Sequence, residues 1–292
     1  MREAGHTFGI ALSDRNATIF ERGAFTGVHV LERIPWPAHG STPATAERAR
    51  AEIAAARYDV ALIVSEEPEA YGLARPIPVR VGFTTGWAKP LKSLWIAQRV
   101  TRAVTRGASV GDDQAHEADI VFALGSGYVA RGALPSRESE RLRPLLSNGP
   151  VPERRAIVVQ LGAKWRTIGV RASDLAAIVR ALHARGARLI ASAHEREAAA
   201  EAAGDLPVAF FDDLAAWKAA IDAARVVVTP DTGAAHLAGM LGVPVVDVFP
   251  DADAHAQIRR WHPWAAPYVA LTASQLRTGD PPALIERSID GL

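Results

Sequence analysis

Val226-Val227-Val228-Thr229-Pro230-Asp231-Thr232-Gly233-Ala234-Ala235-His236-Leu237-Ala238 is the stretch on which the fold turns. Three consecutive valines have the composition of a strand buried on both faces. The polar turn after Pro230 runs directly into an apolar helix that stops at Leu241-Gly242, and Val245-Val246-Asp247-Val248-Phe249 follows as the next strand. Strand, tight turn, helix and strand in this order form the crossover unit of a parallel sheet.

The same grammar extends upstream. Ala156-Ile157-Val158-Val159-Gln160-Leu161 is a short apolar run closed by Gly162. Ser173 is a plausible N-cap for a helix carrying Leu175, Ile178, Val179 and Leu182, and Gly186 is its stop. Arg188-Leu189-Ile190-Ala191 reads as strand, residues 195–203 as helix, Val208-Ala209-Phe210-Phe211 as strand, and Leu214, Trp217 and Ile221 mark another helix. This alternation predicts a doubly wound, Rossmann-like domain. In the first half, strands are expected at Phe8-Gly9-Ile10-Ala11-Leu12, Val28-His29-Val30-Leu31, Val60-Ala61-Leu62-Ile63-Val64 and Val79-Arg80-Val81-Gly82-Phe83. Residues 45–57, 89–106 and 114–129 read as helical. The Pro-, Ser- and Gly-containing stretch 144–152 is the linker candidate, giving domains at 1–150 and 151–292, with the last helix of the second packing back on the first. Met1-Arg2-Glu3-Ala4-Gly5 has the pattern of a final helical turn with its glycine stop, so the opening strand and loop of the first domain are expected to be missing. A short leader before a domain starting at Thr7 is the other reading.

At 292 residues the chain exceeds what one core usually serves. Lys and Arg number 33 against 32 Asp and Glu, which gives no electrostatic reason to expect nucleic acid as the main partner. The absence of cysteine removes disulfides, thiolate metal sites and thiol nucleophiles. Nine histidines without ligand-like spacing leave no metal site to propose. With no signal-peptide pattern and no apolar run of spanning length, a cytoplasmic protein with at most peripheral membrane contact is expected.

The turn at 231–233 carries the chemistry. A helix N-terminus offers unpaired N–H groups and partial positive charge to an anion such as a pyrophosphate, and the carboxyl edge of such a sheet is where ligands bind. Thr232 and Gly233 let a ligand approach the backbone, Asp231 can accept bonds from hydroxyl groups, and His236 lies in the helix's first turns. The same residues also fit a purely structural role, with Asp231 as N-cap, Gly233 as turn residue and His236 as a partly buried imidazole.

Taken together, Asp231-Thr232-Gly233, His236-Leu237-Ala238, Leu241-Gly242, Pro244 and Val248-Phe249 resemble the heptosyltransferase family of bacterial lipopolysaccharide synthesis, glycosyltransferase family nine. Leu161-Gly162-Ala163-Lys164-Trp165 resembles that family's turn after the first strand of the second domain. Arg57-Tyr58-Asp59-Val60, Arg80-Val81-Gly82-Phe83 and His116-Glu117 are similar to first-domain landmarks. The resemblance implies a GT-B fold: two Rossmann-like α/β domains facing a cleft, the first on the acceptor side and the second binding a nucleotide-sugar. It implies inverting transfer, without a cofactor or metal, from a nucleotide diphosphate donor, ADP-heptose in most members, to a lipopolysaccharide-like glycan or lipid-linked acceptor, in the cytoplasm or at the inner face of the membrane. By position, the amides of Thr232, Gly233 and Ala234 would hold the pyrophosphate, Asp231 would lie near the donor sugar, and Glu195 would take the ribose. Glu195 fits a solvated helix position equally well.

Two departures follow from the same resemblance. The family's phosphate-neutralising Lys is replaced by Arg166-Thr167-Ile168-Gly169, so Lys164, Arg166 or Thr167 would have to substitute. The family's general base, an Asp in a Gly-Asp loop after the first strand, has no counterpart there. Gly111-Asp112 repeats the dipeptide in another context, and Asp14 and Glu66 lie near strand ends without being singled out. A nucleotide-sugar-binding protein without catalysis and a GT-B epimerase acting on UDP-N-acetylglucosamine are the competing readings. Arg80, Lys89, Lys92, Arg99 and Arg102, interleaved with Trp87 and Trp95, would suit an acidic sugar or phosphorylated lipid acceptor, or form an amphipathic helix with solvated cations. Arg259-Arg260-Trp261-His262-Pro263-Trp264 could edge the donor site or anchor the returning chain.

Overall fold

The computed structural model describes residues 5–34, 40–106 and 115–292. The chain divides into two compact units, Met1–Pro135 and Ser136–Leu292. Both are α/β with parallel strands throughout.

The first unit holds β1 (Gly9–Ser13), β2 (Gly27–Leu31), β3 (Val60–Ile63), β4 (Val79–Thr84) and β5 (Arg102–Thr105). They form two sheets, β1-β2 and β3-β4-β5, where the sequence suggested one. The helix Pro43–Ala56 buries Ala49 and Ile53 with Leu31, Leu73 and Ile77. β5 is a correction, because 89–106 reads as continuous helix. The helix Pro90–Ala97 stops early, and Val100-Thr101 and Val104-Thr105 return the chain to extended pairing with β4. β-branched pairs favour the pleated backbone, and the Thr101 hydroxyl accepts the Arg80 amide at 2.8 Å. In the stretch read as helix from 114 to 129, Glu117–Phe122 is α-helical and Ala123–Tyr128 tightens to a 3-10 helix. Met1–Ala4 and Gly111-Asp112 lie outside the described residues.

The second unit holds β6 (Ala156–Leu161), β7 (Arg188–Ser192), β8 (Val208–Phe211), β9 (Ala224–Pro230), β10 (Val245–Phe249) and β11 (Tyr268–Thr272), in the spatial order β11-β10-β9-β6-β7-β8. This is a doubly wound sheet whose direction of growth reverses between β6 and β9. Alternate strand residues, Val226, Val228, Val246 and Val248, enter one core with Ile178, Leu182 and Trp165. Trp165 is fully buried, and its indole N–H donates to the Gln160 carbonyl at 2.8 Å, which pins the turn after β6 to its strand.

Two details differ from the sequence reading, the N-cap of one helix and the placement of residues 136–150. The helix carrying Leu175 spans Ala172–Ala184 with Arg171 at the N-cap, so Ser173 lies inside its first turn. The last helix, Pro281–Asp290, buries Ile285 and Ile289 in the second unit's core. Residues 136–150, ahead of the expected boundary, belong to the second unit because buried polar contacts hold them there. Arg143 grips Asp222 with both terminal nitrogens, one at 2.6 Å. Lys218 Nζ donates to the Leu146 carbonyl at 2.6 Å. No helix among the described residues is long and apolar enough to cross a membrane.

Candidate functional site

Because β6 and β9 are neighbours, the turns leaving their carboxyl ends lie side by side, at the position where doubly wound sheets take ligands. The turn after β9 enters the nine-residue helix Gly233–Leu241. Thr232, not Asp231, is the N-cap: its hydroxyl accepts the Ala234 amide at 3.3 Å and lies 3.1 Å from the fully buried Thr229 hydroxyl. The Asp231 amide is spent on the Val248 carbonyl at 3.0 Å, while the Ala235 and His236 amides bond to the Thr232 carbonyl. Among the described residues this leaves the Thr232 and Gly233 amides without acceptors. The Ala234 amide, expected to join them, is committed to the cap. A Cβ built at Gly233 would meet nothing within 4 Å, so the space over the turn is open.

Freed from capping, the Asp231 side chain stands beside His236, with Oδ1 3.7 Å from Nε2, too long for a hydrogen bond. Burial lifts the Asp231 carboxyl above its ordinary range, while His236 and Lys164 pull it back down. Burial depresses the His236 imidazole, with Asp231 opposing and His262 reinforcing that shift. The net shift favours the neutral imidazole.

Lys164, exposed in the turn after β6, is close enough to act electrostatically on Asp231. The other two cation-site candidates are turned elsewhere. Arg166 lies 3.4 Å from Glu201 with most of its side chain in solvent, and the Thr167 hydroxyl donates to the Lys164 carbonyl at 2.9 Å. Glu195, just after β7, accepts the Ala163 amide on Oε2 at 2.9 Å. A Cβ at Gly162 would stand 3.3 Å from the Glu195 carboxyl carbon, so the glycine makes room for the carboxylate. Glu195 is thus a clasp between two strand-end turns, and its Oε1 has no partner among the described residues.

Two further groups complete the surroundings. Trp261, on the helix Ala254–Trp261, places its ring 6.0 Å from that of His236 and edges the site. The rest of that motif anchors the chain: His262 stacks on Tyr268 at 4.8 Å, and the Trp264 indole donates to the Ser136 carbonyl. Asp247 was not singled out from the sequence. It pairs in register with Thr229, is fully buried, and neither carboxyl oxygen has a hydrogen-bond partner. Burial, reinforced by the Asp231 charge, raises its pKa well above the ordinary range. The nearby Val248 amide opposes weakly from a geometry that falls short of a hydrogen bond. Its signal in the sequence was a lone acid inside Val-Val-Asp-Val-Phe.

The candidate bases near first-unit strand ends are both engaged. Asp14 accepts the Arg15 and Arg33 amides at 2.9 and 3.2 Å. Glu66 pairs with Lys92, which holds its carboxyl below the usual range. No cluster of potential metal ligands occurs among the described residues.

Two free helix-terminal amides, a lysine and a carboxylate thus converge at the switch point of a doubly wound unit, an arrangement able to receive an anion such as a phosphate. The family model for glycosyltransferase family 9 (heptosyltransferase) matches residues 47–279. The chain belongs to this family. A family 9 glycosyl transferase from Veillonella parvula superposes with a TM-score of 0.71 at 12% identity, covering 98% of this chain and 87% of that one. Escherichia coli heptosyltransferase WaaC with ADP gives 0.70 at 18% identity, covering 98% and 90%. Escherichia coli ADP-heptose lipopolysaccharide heptosyltransferase II gives 0.65 at 15% identity, covering 96% and 87%. No curated protein sequence matches the chain. The fold is that of GT-B glycosyltransferases, as the sequence resemblance implied.

Proposed function

We propose that the chain transfers a sugar, with inversion, from a nucleotide diphosphate donor to a lipopolysaccharide-like or other glycan acceptor, lipid-linked, at the cytoplasmic face of a membrane. The donor diphosphate lies over the turn at 231–234, against the Thr232 and Gly233 amides and Lys164. Asp231 accepts a hydroxyl of the donor sugar, His236 lies beside it, and the free oxygen of Glu195 takes a ribose hydroxyl. The observation that carries the reading is the convergence of two unsatisfied amides, Lys164 and Asp231 at one strand switch point. In transfer, negative charge accumulates on the departing nucleotide diphosphate, and preorganised amides plus a cation stabilise that charge without a metal. ADP-heptose is the first donor to test, because one similar structure holds ADP and another is an ADP-heptose transferase by name.

A thermal-shift screen across nucleotide diphosphates and their sugars tests this, since a ligand of the folded state raises its stability by mass action. Asp231→Ala is expected to weaken nucleotide-sugar binding roughly ten- to a hundredfold, the worth of a hydrogen bond to a charged group. Unchanged calorimetric affinity would place the donor elsewhere. Epimerised product from UDP- or ADP-sugars incubated without acceptor would replace transfer by epimerisation.

A further inference from the structure

The helix Pro90–Ala97 is apolar on two sides. Inward, Ile96 is 1% exposed and Trp95 packs edge-on against Tyr71 at 5.2 Å. Outward, Leu91 and Leu94 are 82% and 58% exposed, and Trp87, in the 3-10 turn Gly86–Ala88 just ahead, is 94% exposed. Leu91 and Leu94 are three apart on the helix and both face solvent, while Trp87 stands exposed in the separate 3-10 turn ahead of the non-helical Lys89. Isolated exposed apolar residues are ordinary, but three large ones, a bare tryptophan included, within eight residues of chain mark a candidate interaction surface.

Along its own segment of the chain the charge has one sign, and Glu66 is the acid that reaches it from outside. Residues 71–106 contain no Asp or Glu. Lys89 lies between Trp87 and Leu91 in the chain; among the described residues it makes no ion pair, and its charge acts on Glu66 from beyond contact. Lys92 is held by Glu66, and Arg99 lies over the Trp95 ring at 3.9 Å beyond the helix end. A second copy of the chain would bring this basic face against an identical one, so like charges oppose a symmetric dimer. A tryptophan and leucines rimmed by lysine are the combination that seats in a bilayer interface: the indole lies at headgroup level, leucines enter the acyl boundary, and lysines reach anionic phosphates.

We propose that the face formed by Trp87, Lys89, Leu91 and Leu94 docks the protein onto an anionic phospholipid surface. It rests on the proposed function only in that a lipid-linked acceptor gives such a surface a use. Because this face is small, neither its apolar part nor its charge holds alone, and binding requires both. Sedimentation of the full chain with phosphatidylcholine vesicles, with and without phosphatidylglycerol, reads this directly. The wild type is expected to pellet with the anionic vesicles, to be released by added salt, and to stay in the supernatant with pure phosphatidylcholine vesicles. Trp87→Ala with Leu91→Ser, and separately Lys89→Glu, are expected to cut partitioning roughly tenfold or more for the double variant and severalfold for the single one. Nucleotide-dependent thermal stabilisation, read on the same samples, reports the donor site separately, so either proposal can fail alone. Wild type that stays in the supernatant with both vesicles overturns the inference. So does anionic binding unchanged in the double variant, or a solution dimer abolished by Trp87→Ala, which would assign the face to self-association.

Discussion

Asp247 is a carboxylic acid inside the fully buried strand Val245–Phe249, with no hydrogen-bond partner for either oxygen. An ionised carboxylate there would lack compensation, and the neighbouring Asp231 adds repulsion, so the group keeps its proton in the folded state. In the unfolded chain it ionises above about pH 4. Below that pH both states are protonated and the full stability is present. As pH rises further, unfolding releases a proton, and stability falls until the raised folded pKa is passed, by on the order of 1 kcal/mol per pH unit. Asp247→Asn keeps the shape and removes the titration. Urea unfolding midpoints measured from mildly acidic to mildly alkaline pH should decline less steeply for the variant than for the wild type. Parallel curves would mean that Asp247 is charged and solvated. The acid also matters to the site above it, since only its neutral form leaves Asp231 as a single negative charge beside Lys164 and His236.

At the scale of elements, the donor turn depends on what holds the helix behind it. Gly242 closes the helix Gly233–Leu241 in the left-handed region at φ +70°, and the Arg154 guanidinium donates to the Leu241 and Gly242 carbonyls at 2.6 Å each. Arg154 also contacts Asp222 at 3.3 Å, and Asp222 in turn holds Arg143. Arg143 and Asp222 are each only 8% exposed. This buried knot joins the segment before β6, the helix Leu214–Asp222 and the end of the donor helix. Asp222→Ala would leave Arg143 buried without its counter-charge, a loss of about 3–5 kcal/mol. Chemical denaturation should show that loss. A change below about 1 kcal/mol would show the arginines relaxing into solvent.

At the scale of the whole molecule, the second unit carries its own six-stranded sheet, a large core against that sheet and every residue assigned to the donor. A fragment of residues 136–292 is therefore expected to unfold cooperatively and to be stabilised by nucleotide diphosphates, whereas a fragment starting at 151 would lack the Arg143 contacts and melt lower. Circular dichroism melts of both fragments, with and without ADP, check the boundary. Equal melting of the two would return the boundary to the Pro144 to Pro152 stretch.

The sequence by itself determined the strands of the second unit, its crossover logic and the turn at Asp231. Runs such as Val-Val-Val and Val-Val-Asp-Val-Phe, punctuated by Gly162, Gly186 and Gly242, are local signals set by burial and backbone geometry. The family followed from that turn and its sequel. Local pattern could not supply what depends on partners distant in sequence. β5 was hidden because an edge strand of four residues gains its extended form from pairing with β4. Thr232 displaced Asp231 as the cap, and Lys164 was separated from Arg166 and Thr167, by side-chain directions that only packing defines. Residues 136–150 were assigned to the wrong side because Asp222, which holds Arg143, lies 79 positions along the chain. Burial is legible in a sequence as periodicity, but the pairing of particular polar groups is decided where strands and helices meet.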